Sequence, residues 1–124
     1  VVSPDERFIA FIEKKTGALK IVDLTDGSEA ASWSGLGRNA LSFISWSADG
    51  KRLAIGCYWQ GGLWIYDMDT KEATRIVDGS FAWCAWSAPD MSRMVIERGF
   101  GSWHHEIWIA DVVKEGVPMK GSQK

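Results

Sequence analysis

Three copies of one strand-like phrase, spaced by 44 residues, constrain this chain more than any other feature. They are Leu19-Lys20-Ile21-Val22-Asp23, Leu63-Trp64-Ile65-Tyr66-Asp67 and Ile107-Trp108-Ile109-Ala110-Asp111. Each is rich in β-branched and aromatic residues and closes on an Asp suited to opening a turn, so each reads as a strand. A second phrase precedes each copy. Ser3-Pro4-Asp5-Glu6-Arg7-Phe8-Ile9-Ala10-Phe11 matches Ser47-Ala48-Asp49-Gly50-Lys51-Arg52-Leu53-Ala54-Ile55. The third version, Ser87-Ala88-Pro89-Asp90-Met91-Ser92-Arg93-Met94-Val95-Ile96, carries one extra residue in its turn. A unit of this length that recurs at a fixed period is one supersecondary element, stabilised by stacking on its neighbours.

The spacing of turn residues divides each unit into four strands. In the middle unit they fall at 41–47, 52–57, 62–67 and 73–77. Asp49-Gly50 sits between the first two, where a tight hairpin needs residues that tolerate positive φ. Asp69-Thr70-Lys71 turns the chain between the last two. The first unit has strands at 7–12, 19–23 and 30–33, with Asp26-Gly27 in its last turn and Val1-Val2-Ser3 left of its first strand. The third has 81–87, 93–97, 106–111 and a fourth around 118–120. Helical periodicity is weak throughout, and the apolar residues alternate or come in short runs bounded by Gly, Asp and Ser. Ile9-Ala10-Phe11, Leu53-Ala54-Ile55 and Met94-Val95-Ile96 are continuous apolar triplets, as expected of strands covered on both faces. The repeated Trp64 and Trp108 would fill the space between adjacent sheets.

Ser47 to Ala54, followed by Leu63-Trp64-Ile65-Tyr66-Asp67, resembles the TolB-type, WD-repeat-like β-propeller blade, which also occurs in the propellers of prolyl-oligopeptidase-type enzymes. The resemblance runs through nearly the whole chain. It implies an all-β fold: a propeller segment of three four-stranded antiparallel blades, at approximately 1–35, 36–78 and 79–121. It says little of function, because the matching residues are turn formers and core strands. Propellers usually have about four to eight blades, so three make an incomplete ring. Two expectations follow: the segment belongs to a longer propeller protein, or copies associate, for instance two chains in a six-bladed ring.

Composition removes several functions. With 14 basic and 16 acidic side chains well mixed, no cationic stripe supports binding to nucleic acid or an anionic membrane. Apolar runs fall far short of a membrane span. A soluble protein is expected, with periplasm and cytoplasm equally suitable. The N-terminal residues lack an initiator Met and a basic-then-apolar pattern, so any targeting signal is expected to be removed or to lie outside this sequence. Cys57 and Cys84 stand apart in strand-like contexts and read as free, small apolar fillers.

Candidate sites lie where the units differ most: at 14–18, 58–61 and 99–105, and between units at 35–39 and 78–80. These connections share one face of the stack, and function on a repeat scaffold is commonly carried by such variable loops. Trp59 and Trp103 both stand eight residues before a strand-ending Asp. Each suits either padding the core or stacking on a sugar, a base or a peptide side chain. Tyr58, Arg98, His104 and His105 join them as candidate ligand contacts. Adjacent residues in extended chain diverge, so His104 and His105 would not share a metal, and neither a metal nor another cofactor is expected. Asp23, Asp67, Asp111, Asp5, Asp49 and Asp90 repeat, which argues for turn structure. No nucleophile elbow or spaced acid and base is present, so no catalytic residue is assigned. The expected function is a non-enzymatic binding scaffold with a protein or peptide partner. The alternatives are the propeller of a prolyl-oligopeptidase-type hydrolase, which a following domain with a nucleophile elbow would identify, and an oligomeric lectin-like propeller binding carbohydrate.

Overall fold

A computed structural model of the chain describes residues 1–36, 42–57, 61–86, 93–100, 104–111 and 120–123. At 42, 80–85, 98–100, 104, 105, 110, 111 and 120–123 it describes the backbone alone. The repeated turn phrase folds as its residue types dictate. The Ser47 hydroxyl donates to Asp49 Oδ1 (2.6 Å) and accepts the Arg52 amide (3.0 Å), while Asp49 Oδ1 also takes the Lys51 amide (3.0 Å). Ser3, Phe8, Asp5 and Arg7 make the same three bonds at 2.6, 2.9 and 3.0 Å. Side-chain acceptors thus satisfy the backbone donors that a tight turn leaves free. The buried Ser3 and Ser47 are fully engaged.

Among the described residues there are eleven strands. They are β1 (Phe8–Ile12), β2 (Leu19–Asp23), β3 (Glu29–Trp33), β4 (Ser42–Trp46), β5 (Arg52–Cys57), β6 (Gly62–Asp67), β7 (Glu72–Val77), β8 (Ser80–Trp86), β9 (Arg93–Phe100), β10 (His104–Asp111) and β11 (Lys120–Gln123). Three antiparallel sheets result, ordered β1-β2-β3, β4-β5-β6-β7 and β8-β9-β10-β11. No helix occurs among the described residues. The first sheet has three full strands rather than four. Val2 forms an isolated bridge beside β1, pairing with Ile9 as Trp46 pairs with Leu53 in the middle sheet. The Val1 amine and the Ala10 amide exchange bonds with the partner carbonyls at 2.7 and 2.8 Å.

The third sheet departs from expectation at both ends. Residues 99, 100, 104 and 105, expected in a loop, extend the hairpin, with His104 opposite Phe100 and His105 opposite Gly99. A glycine usually signals the end of a strand, but Gly99 is paired on both sides, with His105 and with Ser80, and the ladder prevails. The last strand lies at Lys120–Gln123, later than the expected 118–120.

The middle sheet is apolar on both faces because each face meets another sheet. Leu53, Ile55, Cys57 and Tyr66 turn back toward the first sheet and pack with Ala10, Leu19 and Ile21. Ala54 and Leu63 turn forward and pack with Met94 and Ile96 of the third. Alternate residues of one strand therefore serve two different cores, as the pleat requires. Gly56 lies beneath the Phe43 ring, where a Cβ would fall 1.8 Å from Cζ, so the forward core requires a glycine there. Indole N–H groups stitch the sheets together. Trp46 Nε1 donates to the Val1 carbonyl (3.3 Å), and Trp86 Nε1 donates to the Ser45 carbonyl (3.1 Å), the equivalent position one unit later. Arg52 adds a cation–π contact, its guanidinium 5.1 Å from the Trp86 ring centroid.

Two turn positions carry residues that their repeat partners show to be imperfect. Glu6 (φ 61°) stands where the middle unit has Gly50 (φ 70°), and Lys71 (φ 61°) where the first has Gly27 (φ 75°). The left-handed region costs an L-residue about 1–2 kcal/mol, against about 0.5–1 for the extra freedom glycine loses on folding. Glu6→Gly and Lys71→Gly should each raise stability by about 0.5–1 kcal/mol in urea denaturation; a loss would contradict this account of the turns. The Tyr66 hydroxyl is buried with no hydrogen-bond partner among the described residues. Leaving such a group unpaired costs about 1–3 kcal/mol, so Tyr66→Phe should be neutral or stabilising by up to about 1 kcal/mol. A destabilisation beyond 1 kcal/mol in the same assay would reveal a partner for the hydroxyl.

Candidate functional site

The two ends of the stack differ in how far their polar groups are committed to the fold. At one end lie the repeated turns. Asp23 Oδ1 accepts the Thr25 amide (2.9 Å) and hydroxyl (2.6 Å), and its other oxygen takes Arg7 Nη2 (3.1 Å). Asp67 Oδ1 accepts the amides of Asp69 (2.8 Å) and Thr70 (3.1 Å). Asp26 accepts the amide and hydroxyl of Ser28. The repeating carboxylates thus close turns, and the same backbone bond, Leu24 to Arg7 and Met68 to Lys51, ties neighbouring turns together in both units.

Donors hold these acids in their charged form. The Ser3 hydroxyl, with the Arg7 amide, lowers the Asp5 carboxyl below the ordinary range. Thr25 does the same for Asp23, aided by Arg7, and Ser28 for Asp26. At Asp49 partial burial opposes the effect, but the Ser47 hydroxyl and Lys51 amide outweigh it and the net shift is again downward.

Among the described residues, the other end differs from unit to unit. In the first, Thr16 closes the β1–β2 connection by donating to Glu13 (3.1 Å) and accepting the Ala18 amide (3.2 Å). In the middle unit Trp64 Nε1 donates to the Gly61 carbonyl (2.9 Å), whereas the equivalent Trp108 Nε1 donates to the Glu106 carboxylate (2.9 Å). Gly62, held at φ 88°, donates its amide to the Gly79 carbonyl (2.9 Å), joining the β5–β6 connection to the crossing between sheets. Trp33 of the first sheet meets Trp64 of the second with centroids 4.9 Å apart and planes tilted by 57°. The Arg75 guanidinium stands 5.8 Å from the Trp64 centroid and pairs with Asp78 at 3.1 Å. Both partners of that pair are exposed, so it fixes geometry weakly.

Tyr58, Trp59 and Trp103 lie outside the described residues. Arg98, His104 and His105 belong to the β9–β10 ladder, Arg98 opposite Glu106, rather than to the loop expected for the histidines. The grouping of Trp33, Trp64 and Arg75 escaped the sequence reading, since it joins β3 of one unit to β6 and β7 of the next. Its signal was the repeat itself, because Trp33 is equivalent to Val77, which packs against the third sheet. Among the described residues no group of three His, Cys, Asp or Glu side chains could hold a metal ion. Cys57 is buried in the core between the first and middle sheets.

Three antiparallel sheets made from one repeated unit and stacked face to face are blades of a β-propeller. Solved structures of that fold match the chain along nearly its full length. The β-propeller domain of Cps50 (Swd1) from Myceliophteria thermophila matches 99% of the chain with a TM-score of 0.75 and 16% identity. TolB from Acinetobacter baumannii matches 98% with a TM-score of 0.67 and 22% identity. The chain spans 37% and 30% of those two chains. No family model and no curated protein matches it. At these identities the likeness establishes the fold alone.

The lowered carboxyls at the turn end give stability a defined pH dependence. An acid whose folded pKa lies below its unfolded value stabilises the fold above the unfolded value, near 3.9 for Asp, and loses that contribution as pH falls through the folded value. Stability should therefore hold from neutrality to about pH 5 and decline through and below about pH 4. Ser3→Ala, which removes the main donor to Asp5, should make that acid-side decline shallower. Denaturation midpoints across pH test both; a decline beginning near neutrality would point to groups other than these acids.

Proposed function

We propose that this propeller segment is a non-enzymatic interaction scaffold whose partner, a protein or peptide, docks on the end bearing the unequal loops. The observation that carries the reading is the contrast between the two ends. Turn-end carboxylates and hydroxyls are occupied by bonds that repeat from unit to unit. At the opposite end the equivalent Trp64 and Trp108 take different acceptors, and an aromatic pair with a nearby guanidinium is partly open. Trp, Tyr and Arg are the side chains that most often anchor protein partners. Tyr58, Trp59, Arg98, Trp103, His104 and His105 fall in or beside these same connections, so the partner would meet aromatic and cationic groups from at least two units. A sugar stacked on Trp59 or Trp103 is a narrower use of the same surface, and it supports the lectin-like alternative only if glycans bind.

Selection of a phage-displayed library of linear peptides against the immobilised chain tests the reading. Bound peptides should lose about tenfold or more in affinity, roughly 1.4 kcal/mol, on Trp59→Ala, Trp103→Ala or Arg75→Ala. The thermal midpoints of these variants should stay close to that of the parent. Peptides that bind all three variants equally, and lose binding instead on Asp26→Ala at the turn end, would overturn it.

A further inference from the structure

Arg75 is exposed, yet its side chain is held along its whole length. It stands on β7 opposite Trp64 of β6, on the rear face of the middle sheet, the one turned toward the first. Its stem crosses Gly62, where a Cβ would fall 2.8 Å from Cδ and 3.1 Å from Cγ. Its guanidinium lies 5.8 Å from the Trp64 centroid, and Nε pairs with Asp78 at 3.1 Å. Trp64 is fixed in turn by its bond to the Gly61 carbonyl (2.9 Å) and by its contact with Trp33. Trp33 is pressed against Gly35, where a Cβ would fall 2.1 Å from Cζ2. A long arginine ordinarily loses rotamer freedom when it binds, whereas this one is already ordered by the fold.

These contacts leave much of the guanidinium available. The Asp78 pair engages Nε, while Nη1 and Nη2 meet no acceptor among the described residues. The Arg75 side chain is 51% exposed and that of Asp78 81%, so water weakens their pairing and another carboxylate can compete for the cation. The positions are also specific to their units. Ser32 stands opposite Lys20 where Arg75 stands opposite Trp64, and Val77 stands opposite Leu63 where Trp33 stands opposite Leu19. The repeated fold therefore requires neither Arg75 nor Trp33.

We propose that Arg75 receives an Asp or Glu side chain of a bound peptide, and that an aromatic or large aliphatic residue beside that acid lies against Trp33 and Trp64. The planar guanidinium matches a carboxylate in shape and charge, and the half-buried indoles supply an apolar surface next to it. A C-terminal carboxylate is a poorer fit, because such groups are captured by clustered backbone N–H donors. The neighbouring Gly62 amide is already given to the Gly79 carbonyl (2.9 Å). The inference rests on the loop-end reading and names what the partner must carry there.

Linear peptides displayed on phage and joined to the coat protein through their C-termini present side-chain carboxylates only. Those retained by the immobilised chain should be enriched in Asp or Glu beside an aromatic or large aliphatic residue. Retained peptides are then synthesised with a fluorescein label and an amidated C-terminus, and their affinities measured by fluorescence anisotropy. Changing the acid to its amide should weaken binding about tenfold. Against Arg75→Gln, acid and amide forms should bind alike, as a direct pairing requires. A second selection, against Arg75→Glu, should enrich Lys or Arg in place of the acid; this position is exposed, and circular dichroism should show both variants folded. An acid-to-amide loss that persists in Arg75→Gln, or the same acids enriched by Arg75→Glu, would overturn the inference. Retained peptides without an acid that still lose affinity on Trp59→Ala or Trp103→Ala would overturn it while the loop-end reading stands. A library that yields no binder would overturn both.

Discussion

The middle sheet is apolar on both sides, and the rest of the structure depends on that. A sheet with one wet face can stand over a single core, but Leu53, Ala54 and Ile55 are consecutive and all three are fully buried. Consecutive strand residues point to opposite faces, so no single partner layer could bury them. The middle sheet must be sandwiched, and the first and third are the slices that enclose it. Apolar burial is non-directional and would tolerate sliding between layers. The directional bonds from Trp46 and Trp86 to backbone carbonyls one unit back select a single register.

Much of this was legible because the repeat shows the same residue in three settings. The Ser-x-Asp phrase predicted its own turn, and Gly50 its positive φ, since the local chemistry of a tight hairpin leaves few alternatives. The apolar triplets predicted two covered faces. The length of the β9–β10 hairpin was not legible. Gly99 reads as a break from sequence alone, and only the neighbouring strands on either side of it hold it in the ladder. The candidate site was legible only as a region. Periodicity can mark the connections that differ between units, but it cannot show that Trp33 reaches Trp64 across a gap of 31 positions, because that contact depends on how one sheet seats on the next.

The division between the two ends of the stack has a physical origin in the same repeat. A turn that must be made identically in each unit is best made by short side chains bonding their own backbone, and Ser, Thr and Asp do this at Ser3, Ser47, Thr25, Asp23 and Asp67. Once so engaged, those groups have little capacity left for a ligand. The opposite connections have no such common task. Thr16 closes one with a side-chain clasp, and the Gly62 amide fastens another to Gly79. Their sequences are consequently free to differ, and a scaffold that is rigid at one end and variable at the other can change its partner without altering its core.

Lys20 shows how a single position can grade the contacts in such a stack. Its equivalents Trp64 and Trp108 each place an indole against the preceding sheet, half-buried and hydrogen-bonded through the ring nitrogen. Lys20 lies on the rear face of the first sheet, which no other described sheet covers, and it is held along its own sheet by Glu29 on β3. An indole left there would enlarge an exposed apolar patch already formed by Val2, Phe11 and Leu24. A charged side chain with an aliphatic stem keeps that face wettable while its methylenes can still lie against an apolar surface. The same substitution limits uncontrolled sheet-on-sheet association at an uncovered face.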